Sequence, residues 1–383
     1  DGSTRITQNY LDGRTKSVTG TGVIPEYYTY GVNTDGTQWT RVDIAAASSP
    51  RYRITTFDTA GRMIREESPA FTNGTITREM AYTDRGLLAK TIESGQADTL
   101  YAYDALANLV RSGLDITANG TLDLASADRI TDTDTLHQQD GAGDWFAVTT
   151  TTVYPETGST AAVEVAVNKR RLSGFASDPA LGTLASEQIS VDIHSDQTVR
   201  QTWIDRPAKT VTQVTDTPAS NIQAAATTVN GLLLAQNSTT VAAPTTYTYD
   251  GLGRRISIKD PRHTAPSSIS YIPSTNQVFT QTDAAGNTTA FEYYGQGETG
   301  AGQVKNVTDA LLQKSHFAYD LLARQTRTWG ETDYPQAYTY TTYGELATLT
   351  TYRDATDSID FTTATWPNPT TGGDPTTWIY DPA

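Results

Sequence analysis

The chain has 383 residues, a formal net charge of −15, 37% hydrophobic residues, 21 Tyr and no Cys. The acidity excludes a typical nucleic-acid-binding protein, which needs Lys and Arg to displace phosphate counterions. The lack of Cys excludes disulfides and thiolate metal sites, and with much Thr and Asp it is typical of secreted bacterial β proteins. We therefore expect an extracellular or cell-surface location and, since no window approaches the length of a membrane helix, no membrane span.

The first fifty residues contain two patterns of strand, turn and strand. Residues 6–18 place Gly13-Arg14 after a short alternating run, and residues 26–40 place Asp35-Gly36 between two alternating runs. An Asp-Gly pair in this setting is a strong hairpin signal. We predict hairpins at both places.

Three clearer copies follow, and each places an aromatic residue four positions before Gly or Ala. The aromatic residues are Phe57, Tyr82 and Tyr103, so the steps between them are 25 and 21 residues. A period in the twenties is too short for a domain and suits one hairpin-like unit of a solenoid or spiral sheet.

Residues 111–200 carry the weakest repeat signal, but their alternation still predicts β-structure. Asp140 to Asp144 is an evident turn. Thr202 to Val211 restores the unit with Ile in the aromatic place, and Val229-Asn230-Gly231-Leu232 predicts a hairpin tip.

The clearest copy is Tyr-Thr-Tyr-Asp-Gly-Leu-Gly-Arg-Arg-Ile at 247–256. Tyr247 and Tyr249 lie two apart and so share one face of a strand. Asp250 suits the first position of a type I turn, and Gly253 suits a fourth position with positive φ. This combination predicts a hairpin with a glycine bulge.

Further copies run to the end of the sequence, where residues 378–383 stop after the first half of a unit. We therefore expect a longer parent chain. The fold predicted is all-β, with repetitive antiparallel hairpins in a spiralling sheet that forms part of a hollow shell or barrel. The repeat residues are Phe57, Asp58, Gly61, Arg62, Tyr82, Gly86, Tyr103, Asp104, Asp205, Tyr249, Asp250, Gly253, Arg254, Tyr319, Asp320, Arg324, Tyr340, Gly344, Tyr380 and Asp381.

The same periodicity gives the expected organisation of the chain. We expect repeats over 1–110, a degenerate β region over 111–200 and repeats again over 201–383, as one continuous architecture. The Asp of one turn and the Arg after the next Gly, as at Arg62, Arg254 and Arg324, are expected to pair across adjacent hairpins and hold the register.

The pattern Tyr-Asp-x-x-Gly-Arg at 249–254, with its degenerate copies, resembles the YD repeat of the Rhs (rearrangement hotspot) family, whose relatives include toxin-complex C components and teneurins. The resemblance covers most of the chain. It implies a long β-sheet that spirals into a shell, often around a C-terminal toxin or another enclosed polypeptide. The sequence lacks the family's core segment with autoproteolytic aspartates, so we assign no self-cleavage.

The sequence contains no convincing catalytic, cofactor or metal motif. Gly295 to Gly300 matches the dinucleotide fingerprint, but a strand-like run follows it where a helix is required, so we predict a hairpin loop. The histidines His137, His194, His263 and His316 lack metal-ligand spacing. Asp140 to Asp144 offers too few oxygens for calcium. We predict no cofactor and no metal.

Two functional alternatives stay open beside a structural one. Carboxylates such as Glu66 and Glu67 can assemble a glycosidase pair in space without a sequence trace. Aromatic residues suit sugar faces, although packing is the commoner use. We predict a non-enzymatic shell segment that encloses or displays a toxin or other polypeptide, with a carbohydrate- or cell-surface-binding module and a carbohydrate-active enzyme as alternatives. The candidate aromatic residues are Tyr27, Tyr28, Trp39, Tyr293, Tyr294, Trp329 and Trp378.

Overall fold

A computed structural model describes residues 2–71, 74–154, 158, 160–176, 187–332, 334–352, 363–369 and 372–381. These residues form 29 strands that belong to one sheet. The pairings within it join consecutive strands and are antiparallel, and none in the described part of the chain joins the first strand to the last. The prediction of an all-β fold built from repetitive antiparallel hairpins is confirmed.

The strands are short, and tight turns connect most of them. They are β1 (Ile6–Asn9), β2 (Thr15–Thr19), β3 (Glu26–Val32), β4 (Gln38–Ile44), β5 (Tyr52–Phe57), β6 (Met63–Pro69), β7 (Thr75–Tyr82), β8 (Leu88–Glu93), β9 (Asp98–Tyr103), β10 (Leu109–Asp115), β11 (Arg129–Gln139), β12 (Trp145–Tyr154), β13 (Val163–Arg171), β14 (Glu187–Ile193) and β15 (Val199–Asp205). The series continues with β16 (Thr210–Thr217), β17 (Ile222–Val229), β18 (Leu232–Ser238), β19 (Thr245–Tyr249), β20 (Arg255–Lys259), β21 (Ser267–Tyr271), β22 (Val278–Thr282), β23 (Thr288–Tyr293), β24 (Val304–Thr308), β25 (Lys314–Tyr319), β26 (Gln325–Gly330), β27 (Gln336–Tyr340), β28 (Leu346–Thr351) and β29 (Asp374–Thr377).

The chain divides into two compact units. Unit 1 comprises Asp1–Met80, Ser270–Thr282 and Asn287–Ala383, so it contains both early and late parts of the sequence. Unit 2 comprises Ala81–Ile269 and Asp283–Gly286. The weak-repeat stretch 111–200 lies entirely in unit 2.

Two local predictions can be checked directly. Asn230 and Gly231 connect β17 to β18 with φ of +50° and +81°, as a two-residue hairpin with both central residues left-handed requires. The loop from Gly295 to Gly300 connects β23 to β24, which pair antiparallel. Both the hairpin tip and the hairpin-loop reading of the false dinucleotide motif are confirmed.

Buried apolar side chains are few for a chain of this length, because a sheet of narrow hairpins covers its side chains mainly with their neighbours on the same face. In the described part of the chain they are Val18, Ile130, Phe146, Ala147, Val148, Val191, Trp203, Val214 and Trp329. Six of these nine lie on the strands β11 to β15 of unit 2. The densest packing therefore occurs where the repeat signature is weakest.

Candidate functional site: the repeat turn and the tyrosine face

The repeat turn has a defined backbone geometry, seen clearly at 250–254. The N–H of Asp250 donates to the carbonyl of Arg254 at 2.9 Å, and the N–H of Gly253 donates to the carbonyl of Asp250 at 3.0 Å. Gly253 has a φ of +78°, and the register of β19 and β20 shifts beside the turn. The structure confirms the predicted hairpin with a glycine bulge.

The Asp250 side chain adds a second set of hydrogen bonds across this turn. Its Oδ1 accepts the backbone N–H groups of Leu252 at 2.9 Å and of Arg254 at 3.0 Å. Its Oδ2 accepts Nε of Arg254 at 2.7 Å and lies 2.6 Å from Nη2. The hydrogen bond from the Arg254 side chain, joined by the backbone donors, lowers the pKa of Asp250 below its ordinary value. The carboxylate therefore acts as a structural anion.

The same two backbone hydrogen bonds close eleven turns in the described part of the chain, and the fourth residue of each has a φ between +58° and +91°. Some of these fourth positions hold Ala, Gln or Leu, which explains why several turns escape recognition from sequence. The turns are 10–14, 33–37, 58–62, 83–87, 104–108, 140–144, 194–198, 250–254, 309–313, 320–324 and 341–345.

The predicted ion pairs across adjacent hairpins are not what the arginines form. Arg62 pairs with Asp58, Arg254 with Asp250 and Arg324 with Asp320, each inside its own turn at 2.6 to 2.7 Å. The spacing of four residues around a tight turn brings the two groups together, so the prediction was wrong about the partner.

Arg324 reaches the next repeat in another way. Its guanidinium lies over the ring of Tyr340, with Cζ 4.3 Å from the ring centroid. Arg14 lies over Tyr30 in the same manner, at 4.5 Å. Consecutive repeats are thus linked by cation–π contacts made by arginines that a carboxylate already orients.

The repeat tyrosines use both their ring and their hydroxyl. The hydroxyls of Tyr249, Tyr293 and Tyr340 donate to the backbone carbonyls of Leu233, Val278 and Gln325 at 2.8, 2.9 and 2.6 Å. In each pair the acceptor lies 15 or 16 residues earlier, on the preceding strands. Each half-buried ring therefore finds a partner for its polar tip.

Burial also affects the acidity of these tyrosines. It raises the pKa of Tyr293 and of Tyr340 above the ordinary value, because a phenolate is poorly solvated there. These side chains are neutral hydrogen-bond donors at physiological pH.

Most of the other predicted repeat residues occupy comparable places, with two variations, whereas Tyr380 and Asp381 follow β29 and lie in none of the eleven turns. Phe57, Tyr82, Tyr103 and Tyr319 are the last residues of their strands, directly before a turn. Gly61, Gly86 and Gly344 are fourth residues with positive φ, and Asp58 and Asp104 cap their turns.

The variations are Thr83, which takes the place of Asp at the start of its turn, and Asp205. Asp205 is buried at the end of β15 and accepts the N–H of Ala208 at 2.8 Å, in a turn of different length.

Within unit 1, one repeat turn docks on a segment almost 300 residues away. Arg51 pairs with Glu345, lies over the ring of Tyr343 at 4.4 Å, and donates to the carbonyl of Asp381 at 2.6 Å. A Cβ on Gly344 would come within 2.4 Å of Ile24. The glycine permits both the turn and the close approach, and Arg51 escaped sequence reasoning because nothing local marks it.

In unit 2 the register determines which residues share a face, because directly paired residues in an antiparallel sheet lie on the same side. We call the side that carries Tyr101, Tyr103, Tyr247 and Tyr249 the tyrosine face. The hydrogen bond from Tyr247 to Oε1 of Gln236, at 2.8 Å, agrees with this assignment. The tyrosine face can be followed from β9 to β19 along residues that are either directly paired on neighbouring strands or an even number of positions apart on one strand. These residues are Tyr101, Ser112, Thr131, His137, Ala147, Arg170, Asp192, Arg200, Thr202, Gln213, Ala226, Gln236, Thr245 and Tyr247.

The strands β11 to β16, which we call the central segment, bury the other side of the sheet. Along the opposite face lie Phe146 and Val148 on β12, Val191 on β14, Trp203 on β15 and Val214 on β16, all at most 8% exposed. In the flanking strands β9 and β19 no residue of the opposite face is buried; these residues are Asp98, Leu100, Ala102, Thr246 and Thr248. The buried side of the sheet is thus inverted in the central segment, and its tyrosine face is polar.

The polar tyrosine face of the central segment holds a concavity of about 420 Å³. Arg170, Asp192 and Arg200 lie side by side across β13, β14 and β15, with His194 and Asn168 beside them. In the described part of the chain neither arginine nor Asp192 makes a side-chain hydrogen bond or ion pair. Nε2 of His194 is buried without a hydrogen-bond partner.

A second concavity, of about 340 Å³, lies on the same face over β16, β17 and β18. Gln213, Gln236 and Ser238 line it together with alanines. Sequence reasoning missed both hollows, because single charged or amide residues on alternating strands leave no motif.

Four of the seven aromatic residues proposed for sugar binding, Tyr28, Tyr293, Tyr294 and Trp329, make side-chain hydrogen bonds. Trp329 is 4% exposed, stacks on His316 at 5.4 Å, and donates to the carbonyl of Thr363. The hydroxyls of Tyr28 and Tyr294 bond Glu26 and the carbonyl of Phe317. Trp378 is the most open of those described, at 37%.

Two kinds of feature are absent from the described residues. They contain no group of three His, Cys, Asp or Glu placed to hold a metal ion. They contain no helix long and apolar enough to cross a membrane.

Comparison with known proteins finds similarity of structure only. No protein-family model and no curated protein matches the sequence. The fold is similar to chains in the crystal structures of TcdB2-TccC3-Cdc42 and TcdB2-TccC3-TEV, each with a TM-score of 0.50 and 12% identity over 99% of this chain. The chain spans 21% of the length of those chains. At this identity the likeness shows the shared fold.

Proposed function

We propose that this chain is a structural, non-enzymatic segment of a larger secreted or surface bacterial protein, in which a YD-type sheet encloses or displays a toxin or another polypeptide. The observation that carries the proposal is the turn closed in the same way at eleven places along one sheet. Its carboxylates pair with arginines inside single turns, and its tyrosine hydroxyls and the guanidinium of Arg324 contact neighbouring strands. This leaves architecture as their role.

The docking of Arg51 on the turn at 341–345 supports an enclosing sheet. It shows strands distant in sequence held together by an ion pair and a cation–π contact. The similarity to the fold of TcdB2-TccC3 chains agrees with the resemblance of the Tyr-Asp-x-x-Gly-Arg repeat to the Rhs family.

Electron microscopy of the whole polypeptide to which the chain belongs tests the proposal. We expect a continuous sheet wall with density for a further polypeptide beside or inside it. A compact globular domain without an extended or hollow sheet would contradict the proposal. Turnover of a polysaccharide that is lost on mutating one carboxylate would also overturn it, in favour of an enzyme.

A further inference from the structure

We infer that the hollow formed by Asn168, Arg170, Asp192, His194 and Arg200, which we call the arginine patch, binds an acidic stretch of polypeptide. The inference deepens the proposed function and rests on it, since it names where an enclosed or displayed chain contacts the sheet.

The patch is positively charged on an acidic protein. The chain as a whole carries −15, yet two arginines of this patch extend into an open hollow with no carboxylate bound to either. Arginine is the side chain that binds carboxylates in a bidentate manner. Unpaired arginines on an acidic protein are placed to receive carboxylates from elsewhere.

The spacing of the two arginines also suits a peptide. Arg170 and Arg200 flank Asp192 on either side, so they lie two strands apart, or about 10 Å. On a peptide in the polyproline II conformation, which has three residues per turn, carboxylates three residues apart lie on the same side and span about 9 Å. A peptide running across the strands can therefore place one carboxylate on each arginine.

The lining of the hollows favours a polypeptide over a sugar polymer. No Phe, Tyr or Trp is among the residues that line either hollow, whereas sugar sites generally use the faces of such rings. Next to the patch, Gln213 and Gln236 offer both amide donors and acceptors, which complement a peptide backbone. The chemistry of the surface favours an acidic polypeptide.

Replacing Asp192 distinguishes a specific binding site from a general loss of structure, because only a specific site predicts an increase in affinity. Its carboxylate lies between the two arginines and repels an acidic ligand. Asp192→Asn should therefore strengthen binding, while the double variant Arg170→Gln/Arg200→Gln should weaken it.

The experiment measures fluorescence anisotropy of labelled polyglutamate with the full chain at low salt. We expect the double variant to bind at least about tenfold more weakly, because two charge-assisted contacts are lost. We expect Asp192→Asn to bind a few times more tightly. Arg262→Gln is the matched control, an arginine 78% exposed in the same unit and outside the patch, and it should bind like the parent.

Three results would overturn the inference. They are unchanged binding by the double variant, weaker binding by Asp192→Asn, and equal binding of alginate, a polyuronate, with the same dependence on the arginines. Circular dichroism of each variant shows that it is folded. An extended sheet seen by microscopy, combined with no polyglutamate binding, would defeat this inference and leave the proposed function standing.

Discussion

The repeats of unit 2 and its central segment share a backbone plan and differ in the side of the sheet that they bury. At β9 and β19 the tyrosines form the half-buried face, whereas at β12 to β16 valines, Phe146 and Trp203 are buried on the opposite face. The hydrogen-bond ladder continues through both regions. The repeat signature therefore indicates which face of the sheet is buried. A stretch of sequence without the signature can still form part of the same sheet.

The largest loss of stability should come from truncating a buried side chain of the central segment. Trp203 is 6% exposed, so Trp203→Ala should lower the free energy of unfolding by about 3 to 5 kcal/mol. The neighbour Thr202 points to the tyrosine face, and Thr202→Ala should change it by less than about 0.5 kcal/mol. Urea denaturation of both variants measures the difference, and equal losses would contradict the assignment of faces.

Acidification should weaken the repeat turns. The pKa values of Asp58 and Asp104 are lowered in the fold, chiefly by the backbone N–H of Arg62 and by the side chain of Asn108. Carboxylates with depressed pKa values stabilise fully above their unfolded pKa, near 3.8, and this stability is lost as the pH falls toward the folded value.

We therefore expect a melting temperature that is flat from neutral pH to about 5 and falls steadily below about 4. Asp104→Asn should flatten part of that slope. Thermal melts across this range measure it, and a melting temperature independent of pH down to 3 would contradict the role given to these carboxylates.

A smaller change in stability should distinguish turns with Gly at the fourth position from turns with another residue there. Ala107 occupies the fourth position with φ of +71°, so Ala107→Gly should stabilise the protein by about 0.5 to 1 kcal/mol. The nearest atoms to a Cβ on Gly253 would be the Leu232 methyl groups at 3.9 Å, an ordinary contact distance, so Gly253→Ala should destabilise the protein by about 1 kcal/mol through φ alone. Effects of the same sign in calorimetry would contradict a shared turn geometry.

Much of the fold follows from the sequence because alternation and turn chemistry are local. The glycine bulge at Gly253, the Asn230-Gly231 tip and the hairpin loop at Gly295 were all predicted from residues a few positions apart. The turns at 194–198 and 309–313 were not, since Gln197 and Leu312 adopt positive φ without any favourable propensity.

The candidate site lay beyond sequence reasoning for a different reason. Arg170, Asp192 and Arg200 come together through the register of three strands, which depends on long-range pairing. The arginine partners were misjudged in the same way. Cross-hairpin ion pairs were expected, whereas the turn brings Arg254 back to Asp250 and leaves the ring of the next tyrosine as the contact between repeats at Arg324 and Tyr340.

Single-cysteine labelling tests the inversion most directly, because the sequence contains no Cys to interfere. In the central segment, Arg200→Cys should react quickly with a maleimide and Val191→Cys slowly. In the repeat, Thr248→Cys should react quickly and Tyr249→Cys slowly, although Thr248 lies on the opposite face from Arg200. Fast labelling of the same face in both regions would contradict the inverted burial of the central segment.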